Sequence, residues 1–217
     1  MTTSNSEAFN NAPRPQRLVL GTHNQKKCGE LRGLLEPLGL ELRSLAELEN
    51  PIEVDETGDD FITNARLKAT EQAKHLNEWT IGEDSGLCVP FLKGAPGVYS
   101  ARYSGPDADD EKNNQKLLSE LETASGSKRR AYYICTIVLA TPEGIAVLEA
   151  EGRCWGTIIA EYRGSGGFGY DPLFEIPEYH RTFAELGTSV KSVLSHRARA
   201  LEIFARGLRR LLANKGQ

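Results

Sequence analysis

Five stretches of this sequence carry residue types and spacings that could do chemistry. In "LVLGTHNQKKCGEL", Leu18 to Leu31, an apolar run opens through Gly21 into a Gly-Thr-x-Asn turn and then a lysine pair. A turn of this kind at a helix start offers free backbone N–H groups and the positive end of the helix dipole. Thr22, Asn24 and Lys27 add a hydroxyl, an amide and a point charge, and phosphate is the natural guest. The pattern lacks G-x-x-x-x-G-K-[ST], which excludes a standard P-loop NTPase. Acids cluster at Glu53, Asp55 and Glu56 and again at Glu83 and Asp84. Magnesium takes few protein carboxylates and fills its octahedron with water and substrate phosphate, so one acid from each cluster suffices for one ion. In "GSGGFGYDPLF", Gly164 to Phe174, glycines let the backbone approach a ligand, Phe168 and Tyr170 offer faces for a base, and Asp171 accepts from ring nitrogens. A core aromatic pair beside a glycine turn is the competing reading. In "SHRARAL", Ser195 to Leu201, Ser195 reads as an N-cap, which sets His196 and Arg197 on the first helical turn with their donors aimed outward. Cations at a helix start oppose the dipole, so stability does not favour them there and an acceptor-rich ligand would explain them; an ordinary surface cap is the competing reading.

The elements that must position these groups follow from periodicity. Arg17 to Leu20 reads as a buried strand, and Leu31, Leu34, Leu35 and Leu38 recur at helical intervals until Gly39, with "LELRSL" as a second strand. Ile62, Ala65, Ala69, Ala73 and Leu76 share one face of a helix capped by Asp59 or Asp60. "TIGEDSGLCV" reads as a strand that reaches an acidic turn and resumes, which places its carboxylates at a strand end. "LKGAPGVYSARYSG" reads as loop and Asp109 to Leu121 as helix. Arg130 to Ala140 and Gly144 to Trp155 form an antiparallel hairpin through "TPEG". From Ser195, helical spacing returns at Ala198, Leu201, Phe204 or Ala205, Leu208 and Leu212. Strands alternating with helices, plus one long hairpin, indicate an α/β fold with a mixed sheet.

Composition narrows the function classes. The 217 residues are 39% hydrophobic and 26% charged, as expected of one soluble globular unit. The longest apolar stretch, "YYICTIVLA", is too short to cross a bilayer. A net charge of -4 argues against a nucleic-acid polymer as partner. Cys28, Cys88, Cys135 and Cys154 are scattered without a C-x-x-C pair, the pattern of reduced, buried thiols in a cytoplasmic protein. Residues 1–15 lack the marks of a signal or transit peptide and read as a disordered tail, leaving 16–214 as the domain.

Taken together, these stretches resemble the inosine triphosphate pyrophosphatase family, also called dITP/XTP pyrophosphatases. The likeness runs from Arg17 to Leu212 and rests on "GTHNQKK", "DETGDDFITNARLKA", "EDSGLCV", "GAPGVYSARYSG", "GFGYDPLF" and "KSVLSHRARAL", six motifs in the family's order. The resemblance implies a two-lobed α/β single domain around an elongated mixed sheet flanked by helices, with a substrate cleft between the lobes and a homodimer as the assembly. It implies that Thr22, His23, Asn24, Gln25, Lys26 and Lys27 hold the triphosphate, and that Glu56 and Asp84 hold Mg2+, with Asp84 also the proton acceptor. Ser85 contacts substrate, Phe168, Gly169, Tyr170, Asp171 and Lys191 line the base and sugar pocket, and His196 with Arg197 reads the purine. His23 and Lys26 stand where the family commonly has glycine, and Glu83 where it commonly has aspartate. The rival readings are a pyrophosphatase for modified pyrimidine nucleotides and a nucleotide sensor without turnover.

Overall fold

The computed structural model describes residues 15–213. Residues 1–14 of the expected disordered tail and residue 214 of the expected domain lie outside the described residues. Seven strands are β1 (Arg17–Leu20), β2 (Glu41–Ser44), β3 (Thr80–Cys88), β4 (Arg130–Ala140), β5 (Ala146–Ile158), β6 (Phe174–Ile176) and β7 (Arg181–Thr182). Five helices are α1 (Gln25–Leu35), α2 (Phe61–Leu76), α3 (Asp110–Glu120), α4 (Phe183–Leu194) and α5 (His196–Ala213). The strands form one sheet in the order β2-β1-β3-β4-β5-β6-β7. Its β1 pairs are parallel and its β5–β6 and β6–β7 pairs antiparallel, so the sheet is mixed as expected. The chain divides into two compact units. The first comprises residues up to Asp84, Thr136–Gly152 and the chain from Ala200; the second comprises Ser85–Cys135 and Arg153–Arg199.

In the first unit, Leu18, Val19 and Leu20 are wholly buried because β1 lies between two parallel neighbours. The helix that follows extends through a 3-10 turn, Glu36–Leu38, and stops where Gly39 adopts φ 73°. Asp60 settles the choice of cap for α2, accepting from Thr63 N at 2.8 Å. Ala65, Ala69 and Ala73 face the sheet with Val138 and Ala140. The smallness of that face has a cause on β3: a Cβ on Gly82 would lie 2.2 Å from Ala65 O and 2.5 Å from Ala69 N. Helix and strand therefore meet backbone to backbone, and no side chain larger than hydrogen fits at position 82.

The second unit packs a separate cluster around Leu87, Leu117, Leu121, Tyr133, Phe174 and Phe183. Phe174 stacks on Phe183 with centroids 5.4 Å apart and meets Tyr133 at 4.7 Å. Gly156 makes room for it, since a Cβ there would come 2.5 Å from Phe174 Cζ. Asp109 caps α3 by accepting from Lys112 N at 2.7 Å. The Arg129 guanidinium ties three segments together by donating to the carbonyls of Ile158, Leu121 and Ile159 at 2.6, 2.8 and 3.2 Å.

Two expectations are corrected here. Residues 80–88 form one unbroken strand rather than strand, turn and strand. Glu83 and Asp84 need no solvent-facing turn, because each carboxylate meets a lysine: Lys27 for Glu83 and Lys68 for Asp84. Helix α4 and strands β6 and β7, for which the periodicity gave no signal, are also present. The signal for α4 lay in "TFAE": Thr182 Oγ1 accepts from Glu185 N while Glu185 Oε2 accepts from Thr182 N, a reciprocal cap. Gly187, with φ 76° and ψ 176°, interrupts the helix and weakens its periodic pattern.

Gly82→Ala is expected to destabilise the protein by roughly 3 kcal/mol or more through overpacking. At this chain length that corresponds to a fall in Tm of about 6–12 °C, measurable by calorimetry.

Candidate functional site

Alternation along β3 distributes the functional groups of the first unit. Gly82 and Asp84 point toward α2, and Glu83 points the other way, toward α1. Asp84, only 6% exposed, accepts from Lys68 Nζ at 2.9 Å. The same ammonium lies 3.0 Å from Glu56 Oε1 and also donates to the Glu83 carbonyl at 3.4 Å. One cation thus fixes two carboxylates within two hydrogen-bond lengths of each other. Asn64, one helical turn before Lys68, accepts from Gly58 N at 2.8 Å, and its Nδ2 lies 3.5 Å from Asp84 Oδ2. A Cβ on Gly58 would lie 2.7 Å from that Asn64 oxygen, so the loop carrying Glu56 lies tight against α2.

Burial pushes the Asp84 carboxyl above its ordinary range, with Lys68 partly offsetting the shift. Burial also opposes the charge on Lys68, but Asp84 and Glu56 outweigh it and the ammonium is held above its usual value. Glu53 and Asp55 are exposed, whereas Glu56 is partly buried and meets Lys68. Glu56 and Asp84 are the hard oxygen donors available to a divalent ion. Among the described residues no group of three or more His, Cys, Asp or Glu could hold a metal by itself.

At the turn before α1, Asn24 Oδ1 accepts from Lys27 N at 3.2 Å, so Asn24 caps the helix. Thr22 Oγ1 accepts from Asn24 N at 3.2 Å. His23 and Gln25 are exposed, and the side chain of Lys26 lies outside the described residues. Lys27 Nζ lies 3.3 Å from Glu83 Oε1.

The second unit holds the glycine run and the start of α5. Asp171, 1% exposed, pairs with Lys191 Nζ at 2.5 Å and accepts from Phe168 N at 3.0 Å. Lys191 Nζ also lies 4.2 Å from the Phe168 ring centre, a cation–π contact. Gly167 has φ 78°, and a Cβ there would come 2.1 Å from Asp171 Oδ2, so glycine is required twice over. Gly169 donates to Asp110 Oδ2 at 2.7 Å and its carbonyl accepts from Asn114 Nδ2 at 3.0 Å, which pins the run to α3. Tyr170 lies in the hydrophobic core with its hydroxyl donated to Ser100 O at 2.8 Å, while Phe168 is half-buried.

Ser195 caps α5 as expected, accepting from Ala198 N at 3.2 Å. The expectation of outward-aimed donors is corrected: Arg197 is 2% exposed and His196 is also buried. The His196 ring stacks on Tyr133 at 4.8 Å, and Arg197 Nη2 donates to Ser85 Oγ at 3.2 Å. Packing on Tyr133 turns the first helical turn inward, which cap chemistry alone does not reveal.

Lys68 and Asn64 escaped the reading of the sequence. Their signal was an i, i+4 pair of polar residues beside the alanine face of α2.

An α/β fold with paired acids and lysines in one unit and two buried cations beside a glycine run in the other defines a nucleotide-hydrolase type of chain. The Ham1 family model matches residues 18–206, and the chain belongs to the Ham1 family. A dITP/XTP pyrophosphatase of Rhodopirellula baltica is 54% identical over 195 residues, covering 90% of this chain and 94% of that protein. One of Desulforamulus reducens is 48% identical, covering 90% and 96%. Among solved structures, a HAM1 protein from Coxiella burnetii superposes with TM-score 0.83 at 38% identity, covering 89% of this chain and 98% of that one. A dITP/XTP pyrophosphatase from Mycobacterium abscessus gives 0.72 at 41%, covering 86% and 96%.

Asp171→Asn is expected to leave the Lys191 ammonium buried without its counter-charge and to cost about 3–5 kcal/mol in denaturant unfolding. Adding Lys191→Met should recover much of that loss, because the uncompensated charge is then gone.

Proposed function

We propose that this chain hydrolyses non-standard purine nucleoside triphosphates (ITP, dITP and XTP) to the nucleoside monophosphate and pyrophosphate, and so clears them from the nucleotide pool. The observation that carries the reading is the Lys68 bridge between Glu56 and the buried Asp84, in a chain of the Ham1 family. Water must attack the α-phosphorus in line while negative charge grows on the departing pyrophosphate. Asp84 orients that water and accepts its proton. Lys27 and the start of α1 take the phosphates by charge and backbone N–H groups. Glu56 and Asp84 would hold Mg2+, which would offset phosphate charge when bound.

Lys191, His196 and Arg197 serve the base. Hypoxanthine and xanthine carry an O6 acceptor where adenine has an amino donor, so buried donors at these positions bind the former and oppose the latter. We further infer a cytoplasmic homodimer that acts on free nucleotides rather than nucleic-acid polymers. Among the described residues no helix is long and apolar enough to cross a membrane.

The test is pyrophosphate release from ITP, XTP, GTP, ATP and dTTP, with and without magnesium. Turnover of ITP and XTP far above the other three, lost on chelation, is the expected result. Comparable rates on all five would overturn the base assignment, and a preference for dTTP would favour the pyrimidine reading. Asp84→Asn is expected to lower kcat by roughly 100- to 10,000-fold with the fold intact. Binding of ITP without pyrophosphate release in the unaltered protein would favour a sensor.

A further inference from the structure

The second unit contains a hollow of about 360 Å3 whose lining includes Ser127, Arg130, Trp155, Thr157 and Glu178. None of these residues has a part in the phosphate, metal or base assignments. Alternation on β5 explains its floor: Cys154, Gly156 and Ile158 turn into the core, which sends Trp155 and Thr157 outward. Arg130 and Tyr132 project from the same side of the neighbouring β4, whose Ala131 and Tyr133 are core. Trp155 is left 41% exposed, unusual for the largest apolar side chain.

The Arg130 guanidinium lies 4.5 Å from the Trp155 ring centre, and the Tyr132 ring meets the same indole at 4.6 Å, tilted by 45°. A guanidinium laid on an aromatic face loses water from that face and is held in one plane, so its edge presents N–H donors in a fixed fork. That fork matches a carboxylate or phosphate. The hydroxyls of Ser127 and Thr157 belong to the same lining. Although the chain carries a net charge of -4, Arg130 lines the hollow and Arg153 Cζ lies 5.2 Å from the adjoining Tyr132 ring, two cations against the single acid of the lining, Glu178. The local sign therefore favours an anion.

We propose that this hollow binds a small organic anion, a phosphate or carboxylate carried on a planar body. The anionic group takes the Arg130 fork with the Ser127 and Thr157 hydroxyls, and the planar body lies against the exposed part of the Trp155 indole. Glu178 accepts a hydroxyl or amino donor from that body.

The experiment uses Trp155 as its own reporter, since the other tryptophan, Trp79, is buried. Emission is followed while the full chain is titrated with phenyl phosphate, benzoate, inorganic phosphate or phenol. A saturable change with phenyl phosphate or benzoate in the roughly millimolar range is expected, with no saturable change from phenol. The first two arms separate phosphate from carboxylate preference. Trp155→Phe should remove the signal, and Arg130→Gln should weaken binding on the order of tenfold or more. Arg130→Lys, which keeps the charge without the fork, should fall between; both Arg130 substitutions are at an exposed side chain, and an unchanged Tm verifies the fold. A flat titration with both anions, or an equal response in Arg130→Gln, would overturn the proposal. So would acrylamide quenching that falls as protein concentration rises, because that places a second copy of the chain over Trp155.

Discussion

Two carboxylates brought close together repel each other, and a cation fixed between them offsets that repulsion. Lys68 supplies that cation for Glu56 and Asp84, and much of the first unit is arranged around its position. The lysine comes from the middle of a helix whose entry is set by the Asp60 cap. One turn earlier, Asn64 fastens the Glu56 loop through the Gly58 N–H. Remove the helix from its place and neither acid retains a defined partner.

What keeps the helix in place is the absence of side chains. Ala65 and Ala69 against Gly82 bring α2 close enough to β3 for a lysine at position 68 to reach an acid at position 84. Because β3 alternates, the tight contact at Gly82 and the carboxylate at Asp84 lie on one face, and Glu83 is delivered to Lys27 on the other. Three adjacent residues thus encode a packing contact, an acid for α2 and an acid for α1. This also explains why the strand continues where acid and glycine content suggested a turn: lysines on both faces satisfy charges that would otherwise require solvent.

The sequence made some of this legible and concealed the rest for physical reasons. β1, α2, α3, the β4–β5 hairpin and α5 were readable because their apolar residues recur with a clear period. The cap at Ser195, and that of α2 narrowed to Asp59 or Asp60, were readable because short polar side chains before apolar runs have one common use. Short β6 and β7 carry too few residues for a period, and Gly187 splits that of α4. Asn64 and Lys68 were hidden because polar residues beside an alanine face look like a solvated flank until the strand opposite is known to carry Asp84. Tyr170 and Phe168 sit two residues apart in one glycine run, yet one enters the core and the other is half-buried; only the Ser100 and Asp171 contacts distinguish them.

The second unit repeats the same electrostatic logic with different parts. A buried ion pair is poor evidence of stability, because apolar side chains of similar volume often serve a fold as well or better. The enclosure of Lys191 with Asp171 therefore points to positional demands. Asp171 holds the ammonium over the Phe168 ring and, through the Phe168 N–H, holds the chain that carries the ring. Gly167 is the residue that lets the run turn tightly enough for this, since any Cβ there would occupy the carboxylate's place. The arrangement fixes a donor and an aromatic face relative to each other before any ligand arrives. Recognition of a flat, acceptor-bearing ring gains from that order, because little rotamer freedom remains to be lost on binding.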